Sequence, residues 1–181
     1  FDSADHRDII EETRKFLQAT IEHHIVGLRL LIALVDEMNS PTTGRTLTVH
    51  RKTAVSFRDQ SLYQAFQISI TTLRHLQSGG ITATEAQKLS IANYALALAT
   101  GCLSFDFIGT NPEESAEDVG TVQVPSSWRP VVQDTTTMQL FFDYYRCSEP
   151  PRSNQALQAI VQLSSVRRSL FSSESERTVF L

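Results

Sequence analysis

Turn-forming residues are sparse in this 181-residue chain, with seven glycines and six prolines, and cysteine occurs only twice. That scarcity excludes a collagenous or low-complexity chain, and two cysteines cannot make a disulfide scaffold. Cys102 and Cys147, each inside a helical pattern, read instead as buried or half-buried thiols of a reducing compartment. Long apolar runs are missing too. The longest, Ile25 to Val35, is interrupted by Arg29 and falls far short of the ~20 residues a membrane span requires. The sequence as it stands carries no signal-peptide pattern. Net charge is only −4, and no basic tract exists to neutralise a phosphate backbone, so nucleic-acid binding is disfavoured.

What is present is helical periodicity, with almost no strand signal. Ile9, Thr13 and Phe16 recur at helical spacing over about residues 5–17, with Ile10 and Leu17 beside them. A stronger helix over about 20–39 has Thr20 as its cap. It carries one stripe of Ile21, Ile25, Leu28, Ile32 and Val35, and a second of Leu31, Leu34 and Met38. Two adjoining stripes predict a helix covered on more than one side. Residues 45–58 are polar and partly basic and allow a short helix. Asp59 is expected to cap the next, about 60–77, which Gly79 and Gly80 stop. Thr82 and Glu85 have capping-box spacing for a helix reaching about Phe105. That helix has faces of Leu89, Ala92, Leu96, Ala99, Leu103 and of Ile91, Ala95, Leu98, Cys102.

A long segment, 106–133, interrupts the helical pattern. It holds acidic Glu113, Glu114, Glu117 and Asp118 and returns through Pro125, the single Trp128 and Pro130. Asp134 is expected to cap a helix of about 135–147 bearing Met138, Phe141, Phe142 and Tyr145. Ser153 is expected to start another, about 154–169, with Leu157, Ile160, Val161 and Ser164 inward and Arg167 and Arg168 in its last turn. Ser173 and Glu176 have the spacing of a further capping box.

The order is helix pair 5–39, connector, pair 59–105, long loop, pair 135–169, and a new start at 173. Hairpins of this kind bury both stripes only by stacking. The pattern favours an all-α, HEAT-like α-solenoid of antiparallel helix pairs over an irregular bundle, with residues 1–181 as one solenoid segment. The Phe1 start and the apparently cut helix at Arg177–Leu181 are read as the ends of a fragment of a longer intracellular protein.

Catalytic and cofactor motifs are missing. Gly79-Gly80 lacks the Lys-Ser/Thr of a phosphate loop and any strand before it, and nothing resembles a nucleophile elbow or a carboxylate pair. No enzyme and no cofactor is expected. His23 and His24 are adjacent, so they point about 100° apart on a helix and cannot chelate as an i, i+4 pair. Arg51, Lys52 and Arg58, with His50 and Arg45 nearby, form a modest basic patch that reads as a solvated connector or as a docking surface for an acidic partner. Trp128 reads as the structural anchor of its loop.

Several blocks carry a family resemblance: His50–Leu62 (HRKTAVSFRDQSL), Cys102–Thr110 (CLSFDFIGT), Val122–Arg129 (VQVPSSWR), Gln139–Asp143 (QLFFD) and Ser165–Phe171 (SVRRSLF). In this order they closely resemble the importin-β (karyopherin-β) superfamily of nuclear transport receptors. The resemblance implies a piece from the N-terminal part of a HEAT-repeat superhelix, starting after its very first repeats. It further implies binding of Ran in its GTP form and of protein cargo, passage by way of nuclear pore proteins, and shuttling between nucleus and cytoplasm. No family motif places Ran or cargo contacts on individual residues here, so Arg51, Lys52 and Arg58 rest on charge alone. Two rivals stay open. One is a HEAT- or armadillo-type scaffold independent of Ran, and the other is an enzyme regulator that docks through the 106–133 loop.

Overall fold

The computed structural model describes residues 5–40, 47–107 and 122–166, and all of its regular structure is helical. It contains α1 (Asp5–Gln18), α2 (Ile21–Asn39), α3 (Leu47–Gln60), α4 (Leu62–Gln77), α5 (Glu85–Leu103), α6 (Arg129–Gln133), α7 (Thr135–Cys147) and α8 (Arg152–Ser164). They fall into two compact units, residues 1–105 and 106–181. The expected all-α fold of HEAT-like helix pairs is what forms.

In the first unit, Ala19 and Thr20 alone separate α1 from α2, so the chain must reverse into a hairpin. Thr20 caps α2 as expected, its Oγ1 accepting the His23 N–H at 3.3 Å. Gly27 lets the two helices close, since a Cβ there would stand 3.3 Å from the Leu17 side chain. The α1 stripe is turned by one position from the expected one. His6, Ile10 and Thr13 are buried while Phe16 is 38% exposed. The reason is His6, which docks between α3 and α4 and sets the helix rotation.

Helix α5 is the centre of this unit, packed against both α2 and α4. Ile91, Ala92, Ala95, Leu96, Leu98, Ala99, Cys102 and Leu103 are all buried. The alanines allow backbones to approach, and the bulky residues fill the space on either side. Leu89, expected on the same face, is instead exposed near the helix start. The capping box is also displaced: Thr84 Oγ1 accepts Gln87 N–H at 3.2 Å, and Gln87 Oε1 accepts Thr84 N–H at 3.0 Å. Thr82 and Glu85 play no such part. Both registers satisfy the motif locally, but only the observed one lets Gln87 Nε2 reach Glu22 of α2 at 3.1 Å and pairs Glu85 with Lys88 at 2.9 Å. Thr84→Ala is expected to cost about 1 kcal/mol, measured by urea unfolding, whereas Thr82→Ala should leave the midpoint unchanged.

Asp59 does not cap α4. Helix α3 runs past it to Gln60, and the Asp59 carboxylate accepts from Arg58 Nε at 2.8 Å. Ser61 sits at the N-cap of α4 without a side-chain cap bond, because its hydroxyl is engaged by His6 Nδ1 at 2.8 Å.

In the second unit α7 and α8 form a hairpin across Ser148–Pro151. Asp134 caps α7 as expected, accepting from Thr136 N–H at 2.9 Å. The buried faces are Thr137, Leu140 and Phe141 on α7, and Ala156, Ala159, Ile160 and Leu163 on α8. Phe142 and Tyr145 are exposed on α7, and Leu157, Val161 and Ser164 are exposed on α8 against expectation. On α8 the inner stripe lies one position from the expected one, because alanines rather than the larger apolar residues take the close-approach side. Ser153 lies inside α8 rather than before it, and Pro151 occupies the N-cap.

The 106–133 segment is not a plain loop at its return. Val122 bridges to Val166, with Val122 N–H donating to Ser165 C=O at 2.8 Å. Ser126–Trp128 then forms a 3₁₀ turn leading into α6. The acidic residues 113–118, the Arg167–Arg168 pair and the Ser173–Glu176 capping box lie outside the described residues.

Cys102 is fully buried and its thiol is pushed far up by desolvation, whereas Cys147 is exposed rather than half-buried.

Candidate interaction surface

Helix α3 carries the basic residues singled out from sequence, and its rotation sorts them. Phe57 is completely buried and Thr53 nearly so, which fixes the inner face. Arg51 and Lys52 project outward, alongside the exposed Val49 and Val55. His50 is half-buried; its ring Nε2 lies 2.9 Å from the Glu37 carbonyl, near the C-terminus of α2. A donor there answers one of the carbonyls that a helix end leaves unmatched.

Arg58 does not share this surface. Its side chain is only 6% exposed and is paired with Asp59 at 2.8 Å. A guanidinium so desolvated requires a close carboxylate, and truncating either partner leaves an uncompensated charge. The charges available on the outer face of α3 are therefore Arg51 and Lys52. Arg58 follows Phe57 directly and lies one turn after Ala54, and since the buried side of an amphipathic helix seldom takes an arginine, no local pattern marks its burial.

His6 went unnoticed in the sequence and is one of the most constrained side chains. It is 0% exposed, with Nδ1 2.8 Å from Ser61 Oγ and Nε2 3.1 Å from Ser56 Oγ. Its ring meets Phe57 edge-on at 5.8 Å. One serine hydroxyl donates to the ring and the other accepts from it, so the neutral imidazole is satisfied on both sides. The available signal was its spacing: His6, Ile10 and Thr13 lie on one helical stripe. Burial first, then the charge of Arg7, holds the His6 pKa below 6.5, with Asp5 opposing. A histidine that resists protonation when folded but not when unfolded gives stability that is full above pH ~6.5 and is lost as pH falls through the folded value. The unfolding midpoint should therefore drop between pH 7.5 and pH 5 by about a few degrees. His6→Gln should lessen that dependence, the half-buried His24, also held below 6.5, carrying the remainder, as scanning calorimetry at matched ionic strength would show.

His23 and His24 are engaged separately. His23 pairs with Thr20 Oγ1 at 2.7 Å and its ring lies 5.6 Å from that of Phe16. His24 Nδ1 lies 2.9 Å from the Leu17 carbonyl. Among the described residues no three His, Cys, Asp or Glu side chains gather to hold a cation, and no helix is long and apolar enough to cross a membrane.

Trp128 is 1% exposed, and its ring meets Phe107 edge-on at 5.7 Å. The two aromatics thus join the start of the 106–133 segment to its return. Val124 and Val132 are buried on either side of Trp128 along the chain.

The chain is 39% identical over 175 residues to exportin-7-A of Xenopus laevis, and at the same identity it matches Ran-binding protein 16 of Drosophila melanogaster and Ran-binding protein 17 of Homo sapiens. Each alignment covers 97% of this chain and 16% of the relative, so the chain spans about one-sixth of the length of the curated proteins it matches. No family model and no solved structure matches it. The transport-receptor resemblance carried by the sequence blocks thus holds over nearly the whole chain.

Proposed function

We propose, from this kinship with an exportin and two Ran-binding proteins, that the chain is a segment of a nuclear transport receptor. It binds partners without catalysis and forms part of a longer array of HEAT-type helix pairs to which residues 1–181 contribute successive repeats. In this reading the complete receptor binds Ran in its GTP form together with protein cargo, passes nuclear pore proteins, and shuttles between nucleus and cytoplasm. The observation that carries it is 39% identity sustained over 97% of the chain. The hairpins support it physically: stacked pairs expose one helix row to partners while the other row supplies the core.

Arg51 and Lys52 are the charges we assign to a partner-facing rim, with Arg58 buried behind them to hold α3 in place. Trp128 reattaches the 106–133 segment. Rim charges act mainly on encounter. Reversing both, Arg51→Glu with Lys52→Glu, is expected to slow association about tenfold at low salt, with little change in dissociation, by surface plasmon resonance.

The test of the function is capture of the full-length protein on immobilised Ran loaded with a non-hydrolysable GTP analogue or with GDP. Retention on the GTP form alone is the expected result. Cargo binding that is indifferent to nucleotide, with no retention on either form, would replace the reading by a scaffold independent of Ran.

A further inference from the structure

A cleft of about 460 Å³ opens in the first unit between α1, α2 and α4. That is within the range of sites that hold small ligands or single side chains. Its lining is unusual in charge. Arg14 comes from α1, His24 from α2 and His75 from α4, with Gln67 and Thr71 beside them and Ile68 among the apolar contacts. No carboxylate of the described residues lines it. Arg14 Nε pairs with the exposed Glu11 carboxylate at 4.0 Å, and Arg14 Nη2 donates to Gln64 at 3.2 Å. The guanidinium has five N–H donors, so others are left over.

His24 adds a second observation. Its Nδ1 is committed to the Leu17 carbonyl at 2.9 Å, and its Nε2 is buried with no hydrogen-bond partner. With Nδ1–H donating, a neutral His24 holds a bare lone pair on Nε2. Buried polar atoms almost always have partners, and one without calls for an explanation, which a bound group facing the cleft supplies here.

We infer that this cleft receives a single carboxylate group, held by Arg14 and His75, and that His24 gains a proton as the carboxylate arrives. The charge count selects the ligand. One permanent cation, shared with the exposed Glu11, beside the His24 and His75 imidazoles suits at most a monoanion and would leave a phosphate dianion undercompensated in a half-enclosed space. The proton count follows from the surroundings of His24. Burial and the charge of His75 hold its affinity for a proton down, while its bond to Leu17 works the other way. An anion in the cleft offsets both depressing effects. The proton comes from solvent and goes to Nε2, whose new N–H then points at an acceptor instead of standing bare.

The inference is independent of the transport reading. The carboxylate has two sources, an Asp or Glu side chain of a partner polypeptide or a free small acid, and the experiment separates them. The 181-residue chain, labelled with ¹⁵N in its histidines, is titrated with acetyl-Glu-Glu-amide in one arm and acetate in the other. A sodium chloride series at equal ionic strength serves as control. The expected result is saturable movement of the His24 and His75 ring resonances with a carboxylate and none with chloride. The apparent His24 pKa should rise on binding, and Kd should weaken up to tenfold per pH unit between its free and bound pKa values. Tighter binding of the peptide assigns the site to a partner's acidic side chain, and tighter binding of acetate assigns it to a small acid. His75→Gln, at an exposed position, and Arg14→Gln should each weaken binding about tenfold with unchanged far-UV circular dichroism. Resonances that do not saturate in either arm, shifts reproduced by chloride, a Kd independent of pH, or variants that bind as the parent does would each overturn the inference.

Discussion

Trp128→Ala is expected to lower stability by about 3–5 kcal/mol, the range for emptying a large aromatic site in a packed interior. The ring is among the largest fully buried side chains described, and it makes an edge-on contact with Phe107. Aromatic pairs of this geometry contribute roughly 0.5–1.5 kcal/mol beyond the area they bury. Trp128→Phe keeps part of that contact and should cost less than half as much. The substitution removes the chain's only tryptophan, so unfolding must be followed by far-UV circular dichroism. In the parent protein, that same residue should report on its own surroundings, with blue-shifted emission that moves to the red on denaturation. An unchanged urea midpoint for Trp128→Ala would mean that the ring is held by nothing the folded chain needs, and the proposed anchoring of the 106–133 segment would fail.

Phe57→Ala should be as costly, again about 3–5 kcal/mol, for a different reason. Phe57 is 0% exposed and touches two other rings, His6 at 5.8 Å and Phe105 at 5.8 Å. It therefore ties α1, α3 and Phe105, two residues beyond α5, into one cluster. Its removal opens a cavity beside the imidazole and readmits water there. The depressed pKa of His6 should then move back toward 6.5, visible by NMR titration, while the urea midpoint falls. The two readouts together distinguish loss of this cluster from a general loosening. Phe57→Leu, which keeps most of the volume, should cost about 1–1.5 kcal/mol and leave His6 depressed.

These expectations rest on residues of very different legibility. Trp128 could be singled out from the chain alone, being unique and flanked by prolines in an otherwise polar stretch. The wide apolar arcs of α2 and α5 were equally plain; α5 is internal, whereas α2 buries Leu28, Leu31, Leu34, Val35 and Met38 and leaves Val26 and Leu30 exposed. Thr20 and Asp134 were readable as caps, since capping is satisfied within four residues of chain. The misreadings share one cause. Thr82–Glu85 and Thr84–Gln87 are equivalent locally, and the choice between them falls to Glu22 on another helix. Asp59 is a good cap in isolation, but Arg58 claims it. Leu157 and Val161 are good core residues, but α8 presents its alanines to α7.

The candidate surface follows the same division. Charge type and spacing nominated Arg51, Lys52 and Arg58 together, and the rotation of α3 about Phe57 separated the third from the other two. The α1–α2–α4 cleft had no sequence signature at all, because Arg14, His24 and His75 are brought together only by helix packing. What the sequence determined by itself was the helical class, the helix pairs, several of the caps and the family resemblance, all of which depend on local spacing or on residue order. The rotation of each helix, the burial of His6 and Arg58 and the lining of the cleft were decided by tertiary structure. Those depend on which side chains fit against partners from distant parts of the chain, and close packing admits only one such arrangement.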